Sequence, residues 1–122
     1  MRTFLVFALA VLLSGLGSLV NAQGWTTEHA LVEGQVEIPN VQANSSWFVV
    51  SLLIAFDEPT TGEIKVYRER DGVRHTLGLC VFEDAVSVVW APEAKFSFRK
   101  GETLVVESSM QTGVFQLIRR AD

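Results

Sequence analysis

Few residues of this 122-residue chain have the chemistry of a catalytic or metal site. His29 and His75 are the only histidines, and Cys80 is the only cysteine. A zinc site needs three or four converging nitrogen or sulfur donors, and these residues could supply at most three. No Gly-x-Ser-x-Gly motif and no phosphate-binding glycine loop occur. The sequence therefore predicts a non-enzymatic protein with no catalytic residue, cofactor or metal site.

Two acidic pairs, Asp57-Glu58 and Glu83-Asp84, are the remaining candidates for chemistry. They lie at the ends of predicted strands, where they could converge on Ca²⁺ or act as paired carboxylates. The alternative, which we favour, is that they are solubilising loop residues. A hydrolase or metal enzyme would require all four carboxylates to come together in space.

The N-terminus predicts export. Arg2 precedes an unbroken apolar run at residues 4–13, and Val20-Asn21-Ala22 presents small residues of the kind a signal peptidase accepts. We interpret residues 1–22 as a signal-peptide helix, which indicates a secreted or periplasmic protein. The alternative is a retained membrane anchor, because residues 4–20 approach the length that spans a bilayer.

Removal of residues 1–22 would leave nine basic and fourteen acidic residues, a net charge of −5 with neutral histidines. An acidic domain without a basic cluster repels phosphate backbones, so we expect no nucleic-acid partner. A single cysteine excludes an intramolecular disulfide. A small exported domain must then be stabilised by its core or by oligomerisation. Cys80 lies between Leu79 and Val81, which favours a buried small hydrophobe over a reactive thiol or an intermolecular bridge.

Beyond residue 30 the apolar clusters have the length and composition of strands. Val, Ile, Phe, Trp and Thr dominate them, and turn residues interrupt them every eight to twelve positions. This spacing predicts an all-β fold, an antiparallel β-sandwich or jelly-roll of about eight strands over residues 30–122. The predicted strands are 30–38, 47–56, 62–70, 73–82, 85–90, 95–99, 103–107 and 114–119. Residues 23–29 are polar apart from Trp25, and we predict a loose arm there.

The Asp71-Gly72 pair predicts a two-residue β-hairpin turn, because a type I′ turn needs positive φ at both positions. In the resulting register Arg70 faces Val73, Glu69 faces Arg74, and Tyr67 faces Thr76. A regular continuation places Val66 opposite Leu77 and Ile64 opposite Leu79, with all four of these side chains in the core. It also places His75 and Cys80 on opposite faces of one strand, which disfavours a catalytic pair. Glu69 and Arg74 are expected to pair on the solvent side.

Residues 47–56 are apolar on both faces apart from Ser51, which is typical of a covered central strand or of an interface. We expect Val49 and Leu53 to lie on the second, partner-binding face. Lys65, Arg68, Arg70 and Arg74 form the densest basic patch, interleaved with Tyr67. They could contact a sugar or an anionic surface, although a solvated hairpin is the preferred interpretation.

From residue 47 to residue 120 the chain resembles small β-sandwich proteins of tailed phages and prophages. The resemblance is carried by Leu53-Ile54-Ala55-Phe56, the following segment 57–66, Val88-Val89-Trp90-Ala91-Pro92 and the segment 100–106. It implies a virion decoration or fibre-associated component that works by self-assembly. A signal peptide departs from that pattern, because virion proteins usually assemble in the cytoplasm.

We therefore predict an exported structural or interaction module that acts through a sheet face or edge and self-associates as a homo-oligomer. The alternative is a carbohydrate- or small-ligand-binding β-sandwich. A membrane partner is expected only if residues 1–22 are retained. The candidate interaction residues are Trp25, Trp47, Val49, Leu53, Tyr67 and Trp90.

Overall fold

The computed structural model describes residues 24–42 and 45–122, so the predicted signal peptide lies outside the described residues. These residues form an all-β, antiparallel structure without a helix, as predicted. The strands are β1 (Trp25–Leu31), β2 (Gln35–Pro39), β3 (Trp47–Arg70), β4 (Val73–Trp90), β5 (Ser97–Phe98), β6 (Thr103–Ser108) and β7 (Gly113–Ala121). Within the described ranges, no helix has the length and apolar character needed to cross a membrane.

Strand β3 organises the sheet, because it is 24 residues long and its two halves have different neighbours. On one edge β7 pairs with residues 47–54 and β6 pairs with residues 64–69. On the other edge β4 pairs with residues 52–70, and β5 adds a short pairing at residues 47–48. Strand β1 then pairs with β7, and β2 with β6, in the order β1-β7-β3-β6-β2. The single sheet therefore curls along β3.

The core lies on the inner face of this curled sheet. Both halves of β3 contribute to it, and they meet residues of β6 and β7. Its fully buried large side chains are Phe98, Phe115, Leu52, Ile54, Ile64, Leu104, Leu117, Val66 and Val106. Asn40 is the buried polar residue of the described chain, and its Nδ2 donates to the carbonyl oxygens of Ser45 (2.9 Å) and Phe98 (2.8 Å). Its burial is therefore offset by hydrogen bonds.

Two predicted boundaries near the N-terminus are wrong. The loose arm expected at residues 23–29 instead forms β1 from Trp25 onwards, and the domain boundary expected at residue 30 lies inside this strand. The single strand predicted at residues 30–38 is divided by a tight turn, in which Glu33 and Gly34 have φ of 53° and 78°. Pairing with β7 overrides the polar character of the arm, since backbone hydrogen bonds do not depend on side-chain polarity.

The strands predicted at 47–56 and 62–70 form one continuous strand, β3. The strands predicted at 73–82 and 85–90 likewise form one continuous strand, β4. Their pairing continues with register shifts between Ala55 and Thr60 and between Thr60 and Gly62. Asp84 takes a φ of 50° at this point. The turn-like residues Asp57-Glu58-Pro59 are therefore accommodated as a strand irregularity and do not end the strand.

The hairpin at Asp71-Gly72 forms as predicted, with φ of 54° and 80° at the two turn residues. The predicted pairs of Arg70 with Val73, Glu69 with Arg74, and Tyr67 with Thr76 are confirmed. Arg74 Nε donates to Glu69 Oε1 at 2.7 Å, which confirms the expected ion pair.

Beyond Thr76 the predicted register is wrong. A bulge on β4 leaves Leu77 as an extra residue, so that Val66 pairs with Gly78 and Ile64 with Cys80. Leu79 and Val81, which follow, are 55% and 71% exposed, whereas Leu77 packs partly against the core. The bulge places Gly78 on the inner face, where a Cβ atom added to this glycine would lie 2.5 Å from Trp90 Nε1. Trp90 thus requires a residue without a side chain at this position.

This contact predicts that Gly78→Ala lowers the free energy of unfolding by about 1–3 kcal/mol, the usual cost of overpacking. The measurement is urea unfolding followed by circular dichroism. Combining Gly78→Ala with Trp90→Phe, which removes the clashing atoms, is expected to cost less than the sum of the two single changes. Strict additivity of the two costs would contradict the proposed contact.

Candidate interaction site

Trp25 and Trp47, two of the predicted interaction residues, lie on either side of Arg119. The guanidinium carbon of Arg119 is 5.1 Å from the ring centre of Trp25 and 4.7 Å from that of Trp47. The register of β1, β7 and β3 creates this arrangement, because Arg119 pairs with Trp25 on one side and Val49 on the other. A delocalised, weakly hydrated guanidinium suits such stacking better than an ammonium group.

The stack continues into the core. Trp47 is 5% exposed and stacks on Phe98 with ring centres 4.7 Å apart. Arg119 Nη2 donates to Thr27 Oγ1 at 3.1 Å, while Nε is buried without a hydrogen-bond partner. Burial lowers the pKa of Arg119 from its ordinary value. These contacts make Trp47 a structural residue and leave Trp25, 38% exposed, as the outer end of the stack.

His29 belongs to the same end of the sheet. Its Nε2 lies 2.7 Å from Thr27 Oγ1, and its ring is 5.6 Å from that of Phe115. Burial, followed by the positive charge of Arg119, lowers the pKa of His29 below its ordinary value of 6.5. The folded protein therefore favours the neutral imidazole.

The prediction that Val49 and Leu53 share a partner-binding face is wrong. A register shift between Val49 and Ser51 turns the strand, so that Val49 is 3% exposed in the core together with Leu52 and Ile54. Leu53 remains on the outer face, paired with Val89 on one side and Gln116 on the other. Only Leu53 of the two can contact a partner.

Tyr67 is covered by Arg74, whose guanidinium carbon lies 5.6 Å from its ring centre. Arg74 also reaches carboxylates on three other strands. It donates to Glu69 (2.7 Å) and Glu107 (2.8 Å) and lies 4.0 Å from Glu37. These ion pairs raise the pKa of Arg74, with the hydrogen bond to Glu69 as the main cause. The network ties β2, β3, β4 and β6 together on the outer face, and the Arg74 guanidinium covers one face of the half-buried Tyr67 ring.

The four cations of the candidate basic patch are engaged within the chain, because each of them has a partner. Besides Arg74, these contacts are Lys65 with Glu63 (3.7 Å), Arg68 Nη1 with the carbonyl of Ser97 (2.9 Å), and Arg70 with Glu102 (3.6 Å). Trp90 is likewise occupied, since its indole covers Gly78 and stacks on Phe96 with ring centres 6.4 Å apart.

The acidic pairs both lie in the irregular middle of the β3–β4 hairpin, yet they form no metal site. Within residues 24–42 and 45–122, no three His, Cys, Asp or Glu side chains are arranged to hold a metal ion. The expectation that His75 and Cys80 point to opposite faces is wrong, since their partners Arg68 and Ile64 share a face. These partners are four residues apart, which separates the two side chains by about 13 Å.

Strand β4 carries more of the exposed large hydrophobic side chains than any other described strand. This strand is 18 residues long and pairs with β3 alone among the described strands. It carries five exposed aliphatic residues, which we call the β4 strip: Val73 (54% exposed), Leu79 (55%), Val81 (71%), Val86 (60%) and Val89 (59%). Natural edge strands usually carry charges or proline that prevent pairing with another chain. The segment 78–82, Gly-Leu-Cys-Val-Phe, carries neither.

The outer sheet face beside Val89 extends this apolar surface. Leu53 neighbours Val89, and a shallow depression of about 240 Å³ lies between Leu53, Ala55 and Val114, with Glu28 and Gln116 at its margin. Val114 is 53% exposed. The strip and this face together form the candidate interaction site.

Sequence reasoning missed Arg119, Gly78 and most of the β4 strip. Nothing in the alternation of residues 114–119 distinguishes Arg119 from an ordinary surface arginine. A single unpaired residue, Leu77, moves Leu79 from the predicted core to the surface, where Val81 also lies exposed. A glycine within a strand pattern is the one local signal that could have indicated the bulge.

Comparison with models of known protein families gives no match to this chain. A search of curated proteins likewise gives no match. Function is therefore inferred from the geometry described above.

We expect Arg119→Lys to lower the free energy of unfolding by about 1–2 kcal/mol, because an ammonium group cannot stack between two indoles. Tryptophan fluorescence during urea unfolding measures this change. Arg99→Lys, at an exposed position, is the matched control and is expected to have little effect. Equal stability of the two variants would show that the stack contributes nothing.

We also expect His29 to make stability depend on pH. Its folded-state pKa is lowered, so the unfolded chain binds the proton more tightly. The contribution of His29 to the free energy of unfolding is therefore fully present above about pH 6.5. It declines as pH falls towards the pKa of His29 in the folded protein. The decline in urea midpoint below pH 6.5 should be smaller in His29→Gln than in the wild type. The same pH dependence in both proteins would assign the effect to other groups.

Proposed function

We propose that this chain is a non-enzymatic interaction module that associates with further copies of itself through the β4 strip. The observation that carries the proposal is that a strand of 18 residues has one partner strand and five exposed aliphatic side chains. The unpaired edge offers N–H and C=O groups, and the aliphatic residues offer apolar area to the same partner. Both would be satisfied by another strand.

The wider proposal follows the sequence. The curled sheet enclosing one core supports a β-sandwich arrangement, and residues 1–22 support export as a secreted or periplasmic protein. The resemblance to small phage and prophage β-sandwich proteins supports self-assembly as the mode of action. A net acidic charge argues against nucleic acid as a partner.

A carbohydrate-binding module is the weaker alternative. Sugar recognition of this kind would need aromatic faces open to a ligand. Trp47 is in the core, Tyr67 lies under Arg74, and Trp90 covers Gly78. Of the four aromatic candidates, only Trp25 has a substantially exposed ring.

The test compares Val81→Lys with Val32→Lys in sedimentation velocity over a range of protein concentrations. Val81 and Val32 are 71% and 69% exposed, so the two substitutions are matched in burial and charge. Val81→Lys should weaken self-association at least about tenfold, because pairing would desolvate the new charge. Val32→Lys, in the β1–β2 turn, should associate like the wild type. A wild type that remains monomeric throughout, or equal association of both variants, would overturn the proposal.

A further inference from the structure

We infer that two copies of this chain pair antiparallel through β4, edge to edge, about a two-fold axis that passes beside Cys80. The inference rests on the proposed self-association and adds the partner strand, its direction and its register. It follows from three features of β4: the direction of its free backbone groups, the limits of its regular segment, and the arrangement of its charges.

The turn determines which backbone groups of β4 are free. In a two-residue hairpin the closing residues, Arg70 and Val73, exchange hydrogen bonds with each other. Successive residues of a strand direct their N–H and C=O groups to alternate edges. Even-numbered residues at the end of β3 therefore bond β4, and odd-numbered residues bond β6. The contact from Ser109 N to the carbonyl oxygen of Glu63 (3.1 Å), on the β6 side, agrees with this assignment.

Beyond the bulge, Gly78, Cys80 and Phe82 pair with even-numbered residues of β3 and use their backbone groups there. Leu79 and Val81 consequently direct their N–H and C=O groups to the open edge. Their side chains are exposed on the outer face. The same two residues thus offer both hydrogen bonds and apolar surface to a strand that approaches from the side.

The regular part of β4 is short and limits the register. It is bounded by the bulge at Leu77 and by the register shift beyond Phe82, next to Asp84 with its φ of 50°. When this segment, residues 78–82, pairs antiparallel with its own copy over its full length, Cys80 lies opposite Cys80. Leu79 then faces Val81 of the second copy, and Val81 faces Leu79, in two hydrogen-bonded pairs.

Other registers lose these matches. A shift by one residue places residues whose N–H and C=O groups point to the open edge opposite residues whose groups already bond β3. A shift by two residues moves Leu79 opposite Glu83, or moves Val81 opposite the bulged Leu77. The register centred on Cys80 is the one that keeps both apolar pairs and both sets of hydrogen bonds.

The charges of β4 favour a second copy in antiparallel orientation. Arg74 and His75 precede the regular segment, and Glu83 and Asp84 follow it. Antiparallel pairing brings the basic end of one strand towards the acidic end of the other, whereas parallel pairing would bring like charges together. A two-fold axis repeats each favourable contact, as in other isologous interfaces.

Cys80 makes this register measurable with the native residue. In the inferred dimer the two cysteines form a non-hydrogen-bonded pair, whose Cα atoms are about 4.5 Å apart. This separation lies within the range that a disulfide spans, roughly 4.4–6.8 Å. Cys80 is half-buried at the edge of the sheet and has no intramolecular partner.

The experiment treats the purified protein with glutathione disulfide, which accepts two electrons as two Cys80 thiols lose their protons and form one disulfide. A covalent dimer linked Cys80 to Cys80, identified by mass spectrometry of the linked peptide, is the expected product. The control is Cys80→Ser combined with Val32→Cys, whose thiol lies at a 69% exposed position in the β1–β2 turn, outside the β4 strip. It should form at least about tenfold less covalent dimer.

Sedimentation velocity on the same samples separates the two levels of the proposal. The wild type kept reduced with dithiothreitol should associate as strongly as the oxidised protein's monomers do before linkage, because the disulfide reports the contact and does not create it. Association without a Cys80–Cys80 link would overturn the register and leave the proposed self-association intact. Equal cross-linking in the Val32→Cys control, or in Val81→Lys, would indicate random collision and overturn the inference. Absence of any association would remove both proposals.

Discussion

The backbone hydrogen bonds of β3 are the constraint on which the rest of the structure depends. Its 24 residues need partners along both edges, and four other strands supply them. Because β6 and β7 occupy different halves of the same edge, the sheet must curl for the inner face of each half to be covered. That curl determines where the hydrophobic core, the Trp25–Arg119–Trp47 stack and the β4 strip lie. Strand β4 covers most of the opposite edge of β3, and its own second edge has no partner among the described strands.

The structural features that depend on residues close together in the chain were predictable from sequence. The Asp71-Gly72 turn, the first pairs of its hairpin and the ion pair between Glu69 and Arg74 all depend on residues close in the chain. The interruptions were not predictable in the same way. Asp57-Glu58-Pro59 has the composition of a turn, and only the partner strand shows that the pairing continues past it.

The candidate site was harder to predict than the fold, for a physical reason. Residue type indicates what a tryptophan can do, but burial decides whether it is free to do it. Trp47 and Trp90 both pack on distant segments, against Phe98 and Gly78 respectively. Alternation along a strand assigns faces correctly only until the first bulge, and here bulges follow Val49 and Thr76. Each bulge reverses every later assignment of inner and outer residues.

The place of β7 in the sheet has a kinetic consequence. The last strand lies between β1, the first, and β3, and the Trp25–Arg119 pairing spans almost the whole described chain. Folding therefore closes a very long loop, which is slow compared with forming the local β3–β4 hairpin. A chain emerging from the ribosome cannot complete this sheet until β7 has left the exit tunnel. Until then β1 lacks the strand with which it pairs in the folded sheet, whereas the local β3–β4 hairpin can already form.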